Sequence, residues 1–226
     1  MIRLVDLTKS FRLAHGENVI ADGINATFPT GASVGLLGRN GAGKSSLLKM
    51  IAGTMRPDFG RVESSGSISW PVGFAGSFHR DLTGLQNTRF IARVYGVDSD
   101  DLGAVVEDIS GLGRQFRERV GTYSSGMRAR LAFAVSMGIR FDTYLVDEIT
   151  SVGDAAFRRK SEALMQDRLA TSGAIVVSHS LGMIQRLCQH GAVLENGRLT
   201  FYDKVDDAIA HHQALMNAPR GASGAR

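Results

Sequence analysis

The 226-residue sequence predicts an α/β fold with a mixed, mainly parallel sheet. Residues 38–45 read Gly-Arg-Asn-Gly-Ala-Gly-Lys-Ser, a glycine-rich phosphate-binding loop between an apolar run and a helical pattern. In the second half of the chain, short apolar runs alternate with helical segments, as they do around parallel sheets. From about residue 81 to residue 138, apolar side chains recur at helical spacing, which indicates an inserted helical subdomain.

The segments before and just after the loop read as strands and one helix. Residues 2–7 alternate apolar and polar side chains, and residues 19–28 form a second strand that ends before a turn at 29–31. Residues 32–37 are apolar, as in a buried parallel strand. A helix is predicted from about Lys44 through Ile51, with Gly53 as its stop signal. Residues 61–70 read as short strands around a Ser-Gly turn.

The second half of the chain continues the alternation of predicted strands and helices. Residues 126–139 indicate a helix, while 143–146 and 175–177 indicate buried strands. Asn196-Gly197 lies between two apolar runs and is typical of a hairpin turn. The segment 217–226 is rich in Gly, Ala and Arg, so we expect it to be a frayed, disordered tail.

Composition sets limits on the class of protein. The chain is 43% hydrophobic and 21% charged, which suits one globular α/β domain. The apolar stretch near 131–139 is too short to cross a bilayer, and no basic-then-apolar leader opens the chain. Cys188 is the single cysteine, which fits a reducing cytoplasm and a small buried hydrophobic side chain. The net charge of +4 is scattered, so it favours solvated surface over nucleic-acid binding.

The phosphate loop has a definite chemistry. Gly38, Gly41 and Gly43 allow backbone angles that a side chain forbids, so successive N–H groups turn inward toward phosphate oxygens. Lys44 reaches the β- and γ-phosphates, and the Ser45 hydroxyl completes a Mg²⁺ site. The following helix directs its positive dipole end at the same anion.

Three later features extend the site, and each has a plainer structural alternative. Asp147 and Glu148 end a buried strand. At this position Asp147 can hold Mg²⁺, and Glu148 can orient or deprotonate a water. The alternative is a solvated acidic pair at a strand end. Residues 124–126 precede a helix, where Gly126 permits close approach of a phosphate; a simple helix cap at Ser124 is the alternative. His179 follows another strand and can contact a γ-phosphate, although a lone histidine is more often structural.

The sequence resembles the nucleotide-binding subunit of ABC transporters over nearly the whole chain. The resemblance lies in the order of its motifs: the phosphate loop, then Ser-Ser-Gly-Met, then Asp-Glu, then Ser-His. The resemblance implies a P-loop NTPase core, an N-terminal antiparallel β subdomain and an inserted helical subdomain within one domain spanning 1–216. It implies ATP and Mg²⁺ as cofactors. The implied site comprises catalytic Glu148 and His179, Mg²⁺-binding Ser45 and Asp147, and nucleotide-binding Phe11, Gly38, Arg39, Asn40, Gly41, Ala42, Gly43, Lys44, Ser45, Ser46, Ser124, Ser125, Gly126 and Asp154.

Within that resemblance, Phe11 would stack on adenine, with a core aromatic as the alternative. Residues 151–154 match the loop that spans a dimer of two copies packed head to tail around two ATP molecules. Each ATP would then lie between the phosphate loop of one copy and the signature helix, beginning near Ser124, of the other. Two departures stand out: no Gln occurs between Gly53 and Leu85, and Ile149 follows Glu148 where many members have Pro.

Residues 68–74, 81–87 and 146–148 resemble the ATP subunits of capsular polysaccharide exporters, with O-antigen and teichoic-acid exporters as close alternatives. The lack of a C-terminal carbohydrate-binding domain favours the capsule type. These features imply an ATPase at the cytoplasmic face of the inner membrane, peripheral to polytopic permease subunits. A soluble ATPase acting on nucleic acid or ribosomes is the rival class, although no sustained heptads for a long coiled coil occur. A nucleotide-binding regulator without hydrolysis is a third possibility.

Overall fold

The structure, a computed structural model, describes residues 1–14, 16–73, 76, 78–147 and 154–217. Its strands are β1 (Ile2–Leu13), β2 (Gly16–Phe28), β3 (Ser33–Leu37), β4 (Phe59–Ser64), β5 (Ile68–Val72), β6 (Thr143–Asp147), β7 (Gly173–Val177), β8 (His190–Glu195) and β9 (Arg198–Tyr202). Its helices are α1 (Lys44–Ile51), α2 (Gly84–Tyr95), α3 (Ser99–Ser110), α4 (Ser125–Gly138), α5 (Ala155–Thr171), α6 (Leu181–Leu187) and α7 (Val205–Asn217).

The main sheet has six strands in the order β5-β6-β7-β3-β8-β9. Every pair is parallel except β8 and β9, which form the hairpin predicted at Asn196-Gly197. Both turn residues have positive φ, 48° and 76°, as this two-residue turn requires. All residues of β3 and β7 are buried, because α1 with β1 and β2 packs on one face of the sheet and helices that include α6 pack on the other. The mixed, mainly parallel α/β fold is confirmed.

A second, three-stranded antiparallel sheet has the order β2-β1-β4. Its register sets Ile2 opposite Phe28 on one side and opposite Ser64 on the other. The two strands predicted around the turn in 61–70 therefore separate: β4 joins this sheet, while β5 becomes an edge strand of the main one. Pro71 is tolerated there because an edge strand has one unpaired side.

Helices α2, α3 and α4 stand between β5 and β6 in the chain and begin at side-chain caps. Thr83 and Gln86 form a reciprocal capping box on α2, and Asp98 accepts hydrogen bonds from two amides of α3. Helix α4 is buried on all sides from Leu131 to Met137, which accounts for the apolar stretch in the sequence. Within the described ranges, no helix combines the length and apolar character that crossing a bilayer demands.

Two structural details refine the sequence-based description of the helices. Phe90 and Val94 lie at helical spacing on α2 and are 61% and 62% exposed, because α2 packs on the core through other residues, among them Thr88, Ile91 and Ala92. At the other end, Asn217 is the last residue of α7 and not the start of a tail, because the helical pattern continues to it. Residues 218–226 lie outside the described residues.

Cys188 is 5% exposed beside Ile184, and burial raises the pKa of its thiol to about 12. Because the thiolate is the reactive form, we predict that an aromatic disulfide reagent labels the native protein at least about 100-fold more slowly than the urea-unfolded chain at pH 8. Release of the reagent's chromophore measures the rate. Equal rates for native and unfolded protein would contradict the buried position of Cys188.

Candidate functional site

The phosphate loop depends on backbone that only glycine adopts readily. Gly38, Gly41 and Gly43 have φ of 149°, 84° and 101°. Gly38 also lies against β8, where an added Cβ would stand 2.4 Å from the Leu194 carbonyl oxygen. The loop is therefore fixed to the sheet at its start, while its tip at Gly41 faces open space.

The first turn of α1 has amide groups that no side chain caps. Gly43 occupies the N-cap position without a capping side chain, and the first N–H groups of a helix have no intrahelical partner. Ser45 at this turn is exposed and Ser46 is half-buried. Lys44 folds back over the loop, where its ammonium donates to the carbonyl oxygens of Gly38 (2.8 Å) and Arg39 (3.0 Å). This end of α1 therefore has amide donors without an intrahelical partner and a cation beside them, which are the features that favour an anion.

The parallel register brings two further predicted residues to the loop. Asp147 of β6 pairs with Val177 at the end of β7, and β7 in turn pairs with β3. His179 follows β7 and lines a cavity of about 200 Å³ together with Gly38, Asn40 and Lys44. The structure therefore brings His179 and the phosphate loop together, with Asp147 at the same edge of the sheet. Glu148, Ile149 and residues 151–153 lie outside the described residues.

A second cavity, of about 250 Å³, lies between β2, the outer face of the loop and the β8–β9 turn. Asn18, Val19 and Ala42 are among its lining residues. Phe11 pairs with Asn18 across the β1–β2 hairpin and is 37% exposed, so the core-aromatic alternative is wrong. The Lys9 ammonium lies 5.4 Å from the centre of the Phe11 ring.

Ser124, Ser125 and Gly126, at the start of α4, do not line the cavities at the phosphate loop of the same chain. Ser124 is the N-cap of α4, and its hydroxyl accepts from the Met127 amide at 3.2 Å. Ser124 and Ser125 are exposed, and a Cβ on Gly126 would meet only the Ser124 hydroxyl at 3.9 Å. In the described part of the chain, none of these three residues lines either cavity at the loop. They form a separate exposed helix N-terminus.

Asp154 has a structural role in the described residues. It caps α5 by accepting from the Phe157 amide at 2.8 Å, and it forms a 2.6 Å ion pair with Arg130 of α4. The Phe157 hydrogen bond, and then the Arg130 charge, hold the pKa of its carboxyl below the usual value. The contact of Asp154 with nucleotide stays a prediction.

The donors at the loop suit Mg²⁺ held mainly by phosphate and water. Mg²⁺ prefers oxygen ligands and usually keeps several waters, with one or two protein ligands. The Ser45 hydroxyl and the Asp147 carboxylate supply such oxygens at the loop side of the sheet. Among the described residues, no cluster of three His, Cys, Asp or Glu could hold a metal by protein ligands alone.

Sequence reasoning missed two features of this region. The Arg39 guanidinium does not face the loop interior, because it donates to the Leu215 carbonyl of α7 at 2.9 Å. Helix α7 also brings His212 into the cavity that holds Lys44 and His179. No local pattern signals either contact, since each joins residues more than 160 positions apart in the chain.

An apolar groove of about 310 Å³ opens on another face. Its walls include Trp70 and Pro71 of β5, and Phe90, Val94 and Tyr95 of α2. The Trp70 ring packs against the Tyr95 ring, 5.0 Å between centres. The exposed apolar side of α2 is therefore one wall of this groove.

The fold and the site together define a nucleotide-binding ATPase cassette. A family model described as "ABC transporter" matches residues 21–151. The chain belongs to the ABC transporter family, which confirms the resemblance in the motifs.

Similar proteins agree with this assignment. The polysialic acid transport ATP-binding protein KpsT of Escherichia coli is 42% identical over 96% of this chain and 98% of its own. The capsule polysaccharide export ATP-binding protein CtrD of Neisseria meningitidis serogroup B is 39% identical over 95% of this chain and 100% of its own. The cassette MJ0796, in a dimeric post-hydrolysis state bound to ADP and Pi, superposes with a TM-score of 0.76 at 18% identity, over 91% of this chain and 99% of its own. That likeness shows a shared fold.

Gly38→Ala should distort the loop more than Gly41→Ala. Both positions have positive φ, which costs alanine about 1–2 kcal/mol, but only the Gly38 Cβ meets backbone. We predict that Gly38→Ala lowers the free energy of unfolding by about 3 kcal/mol and Gly41→Ala by about 1 kcal/mol. Urea titration measures both variants, and equal losses would contradict the contact with Leu194.

Proposed function

We propose that this protein is the ATP-hydrolysing subunit of an ABC exporter that moves a capsular or related lipid-linked polysaccharide across the inner membrane. The observation that carries the proposal is the full-length similarity to KpsT, 42% identical over nearly all of both chains. CtrD, named for capsule polysaccharide export, supports the same substrate class. The phosphate loop and His179 in one cavity supply the chemistry that such a subunit requires.

In the proposed nucleotide site, the loop amides and Lys44 bind the phosphates, and Phe11 stacks on the base. Ser45 and Asp147 would hold Mg²⁺, which would neutralise negative charge on the phosphates. His179 contacts the γ-phosphate from the end of β7. Glu148, next to Asp147 in the chain, orients the attacking water and accepts its proton.

The exposed start of α4 supports a second copy as the other half of the site. Ser124, Ser125 and Gly126 present a helix N-terminus that is separate from their own loop. The N–H groups and dipole of such a terminus favour a phosphate. We propose that the γ-phosphate bound by one copy is capped by α4 of its partner, so that ATP closes the dimer and hydrolysis opens it. The similarity to a cassette described as dimeric is consistent with this arrangement.

The groove between β5 and α2 suits a segment of the membrane subunit. It is apolar and exposed in the single chain, and contiguous exposed apolar surface marks interaction sites. Trp70 and Pro71 lie on this wall, in the region where the family usually has a Gln that senses the permease. We propose that an amphipathic cytoplasmic segment of the permease fills the groove, which makes the ATPase peripheral to the cytoplasmic face of the membrane.

The dimer gives the first test. In Glu148→Gln, ATP should bind while turnover falls at least about 100-fold, because the group that accepts the water's proton is lost. This variant should run as a dimer with ATP in light-scattering chromatography, whereas Glu148→Gln with Ser124→Asp should stay monomeric. Aspartate keeps the helix cap but places a carboxylate against the phosphate.

Thr83→Asp in the Glu148→Gln background is the matched control, because Thr83 caps α2 and accepts the same substitution. It should dimerise normally with ATP. Lys44→Ala should lose ATP binding and stay monomeric. A stable ATP-bound dimer with Ser124→Asp would refute the shared site, and full ATPase activity in Glu148→Gln would refute the assigned role of Glu148.

The groove gives a second test. Phe90→Asp with Val94→Asp should leave ATP turnover of the isolated subunit within about twofold of wild type, because both side chains are exposed and neither lines a cavity at the loop. The same double variant should no longer copurify with the permease, and polysaccharide should no longer appear at the surface of cells that carry it. Phe59→Asp, at a 69% exposed position on β4, is the control. Normal permease binding by the double variant would exclude the groove as the docking site.

A further inference from the structure

Helix α7 forms one wall of the cavity that contains the phosphate loop. The cavity of about 200 Å³ is lined by Gly38, Asn40 and Lys44, by His179 opposite, and by His212 and Met216 of α7. The helix is seated firmly on the sheet: a Cβ on Gly191 of β8 would stand 2.3 Å from the Ala208 Cβ. His212 is therefore held at the cavity by packing one turn earlier in the same helix.

A direct hydrogen bond links the loop to this helix. The Arg39 guanidinium donates to the Leu215 carbonyl at 2.9 Å, in the last turn of α7. The last carbonyls of a helix lack intrahelical donors and form the negative end of its dipole, so a guanidinium is well placed there. Because the Arg39 carbonyl accepts from Lys44, the same residue contacts both α7 and the loop lysine.

The two adjacent histidines of α7 have different environments. His211 faces away and its Nδ1 lies 2.8 Å from the Tyr202 hydroxyl. The His212 Nδ1 is buried and has no hydrogen-bond partner among the residues that the structure describes. Burial first, and then the charge of Lys44, lower the pKa of His212. His212 thus lines the loop cavity as a neutral imidazole, and its Nδ1, which is shielded from solvent, is an unused polar atom of a kind that is rare without a ligand or water.

We propose that His212 binds the terminal phosphate of the nucleoside triphosphate, as a second histidine beside His179, and that the Arg39–Leu215 hydrogen bond holds it in place. The inference rests on the proposed nucleotide site. His212 lines the same cavity as Lys44 and His179, where a γ-phosphate would lie in the proposed nucleotide site. A neutral imidazole can donate one N–H to a phosphate oxygen, and the anion in turn favours the protonated ring.

The test compares a triphosphate with a diphosphate. For His212→Leu, isothermal titration in Mg²⁺ should give about 10-fold weaker binding of the non-hydrolysable analogue AMP-PNP, and ADP affinity within about twofold of wild type. His212→Asn, whose amide replaces the Nδ1 position, should recover most of the loss. His211→Leu is the matched control on the neighbouring residue, and its affinities for both nucleotides should stay at wild-type values. Thermal melting checks that all three variants fold.

The link to Arg39 has its own test. Arg39→Gln should weaken AMP-PNP binding about threefold, and it should add nothing in the His212→Leu background, because both changes remove the same contact. Additive losses would overturn the positioning role of Arg39. Unchanged AMP-PNP affinity in His212→Leu, or equal losses for AMP-PNP and ADP, would overturn the phosphate contact. Failure of the wild-type protein to bind either nucleotide would instead remove the proposed function, and with it this inference.

Discussion

The site depends on one constraint, the register of three buried parallel strands. β3, β7 and β6 lie side by side, so their carboxyl ends meet at one edge of the main sheet. That edge carries the phosphate loop, His179 and Asp147. Because the strands are buried, a register shift would move apolar side chains out of the core, and the chemical groups cannot drift apart independently. The positions of these groups relative to one another are therefore set by the same packing that stabilises the domain.

Backbone amides at two helix ends add the anion-binding capacity. The start of α1 lies within the loop and has no capping side chain, while the start of α4 is capped by Ser124 and faces outward. A phosphate can satisfy amides at both ends only if the two ends come from different copies of the chain, since α4 does not border its own loop cavity. In the dimer that we propose, the phosphate of ATP would supply a negative charge between the two positive helix ends, and its loss would leave them without that attraction.

Much of this arrangement could be predicted from local sequence. The helix at Lys44–Ile51, the cap at Ser124 and the Asn196-Gly197 turn each follow from a few neighbouring residues, and all three agree with the structure. The helical spacing of apolar residues did not predict which segment covers the apolar face of a helix. Phe90 and Val94 show the period of a buried helix face, yet they line an open groove. Periodicity reports which side chains share a face; whether the chain itself covers that face depends on distant segments.

The contacts that α7 makes at the site could not be predicted from local sequence patterns either. Arg39 lies inside a recognisable motif, so its sequence context indicates phosphate binding, whereas its side chain reaches the end of the last helix. His212 belongs to a segment with no motif, and only the packing of Ala208 on β8 brings it to the cavity. A motif therefore defines the part of the site that its own backbone builds. The remaining wall comes from α7, the described element that lies farthest along the chain from the loop, so only the three-dimensional packing brings it to the site.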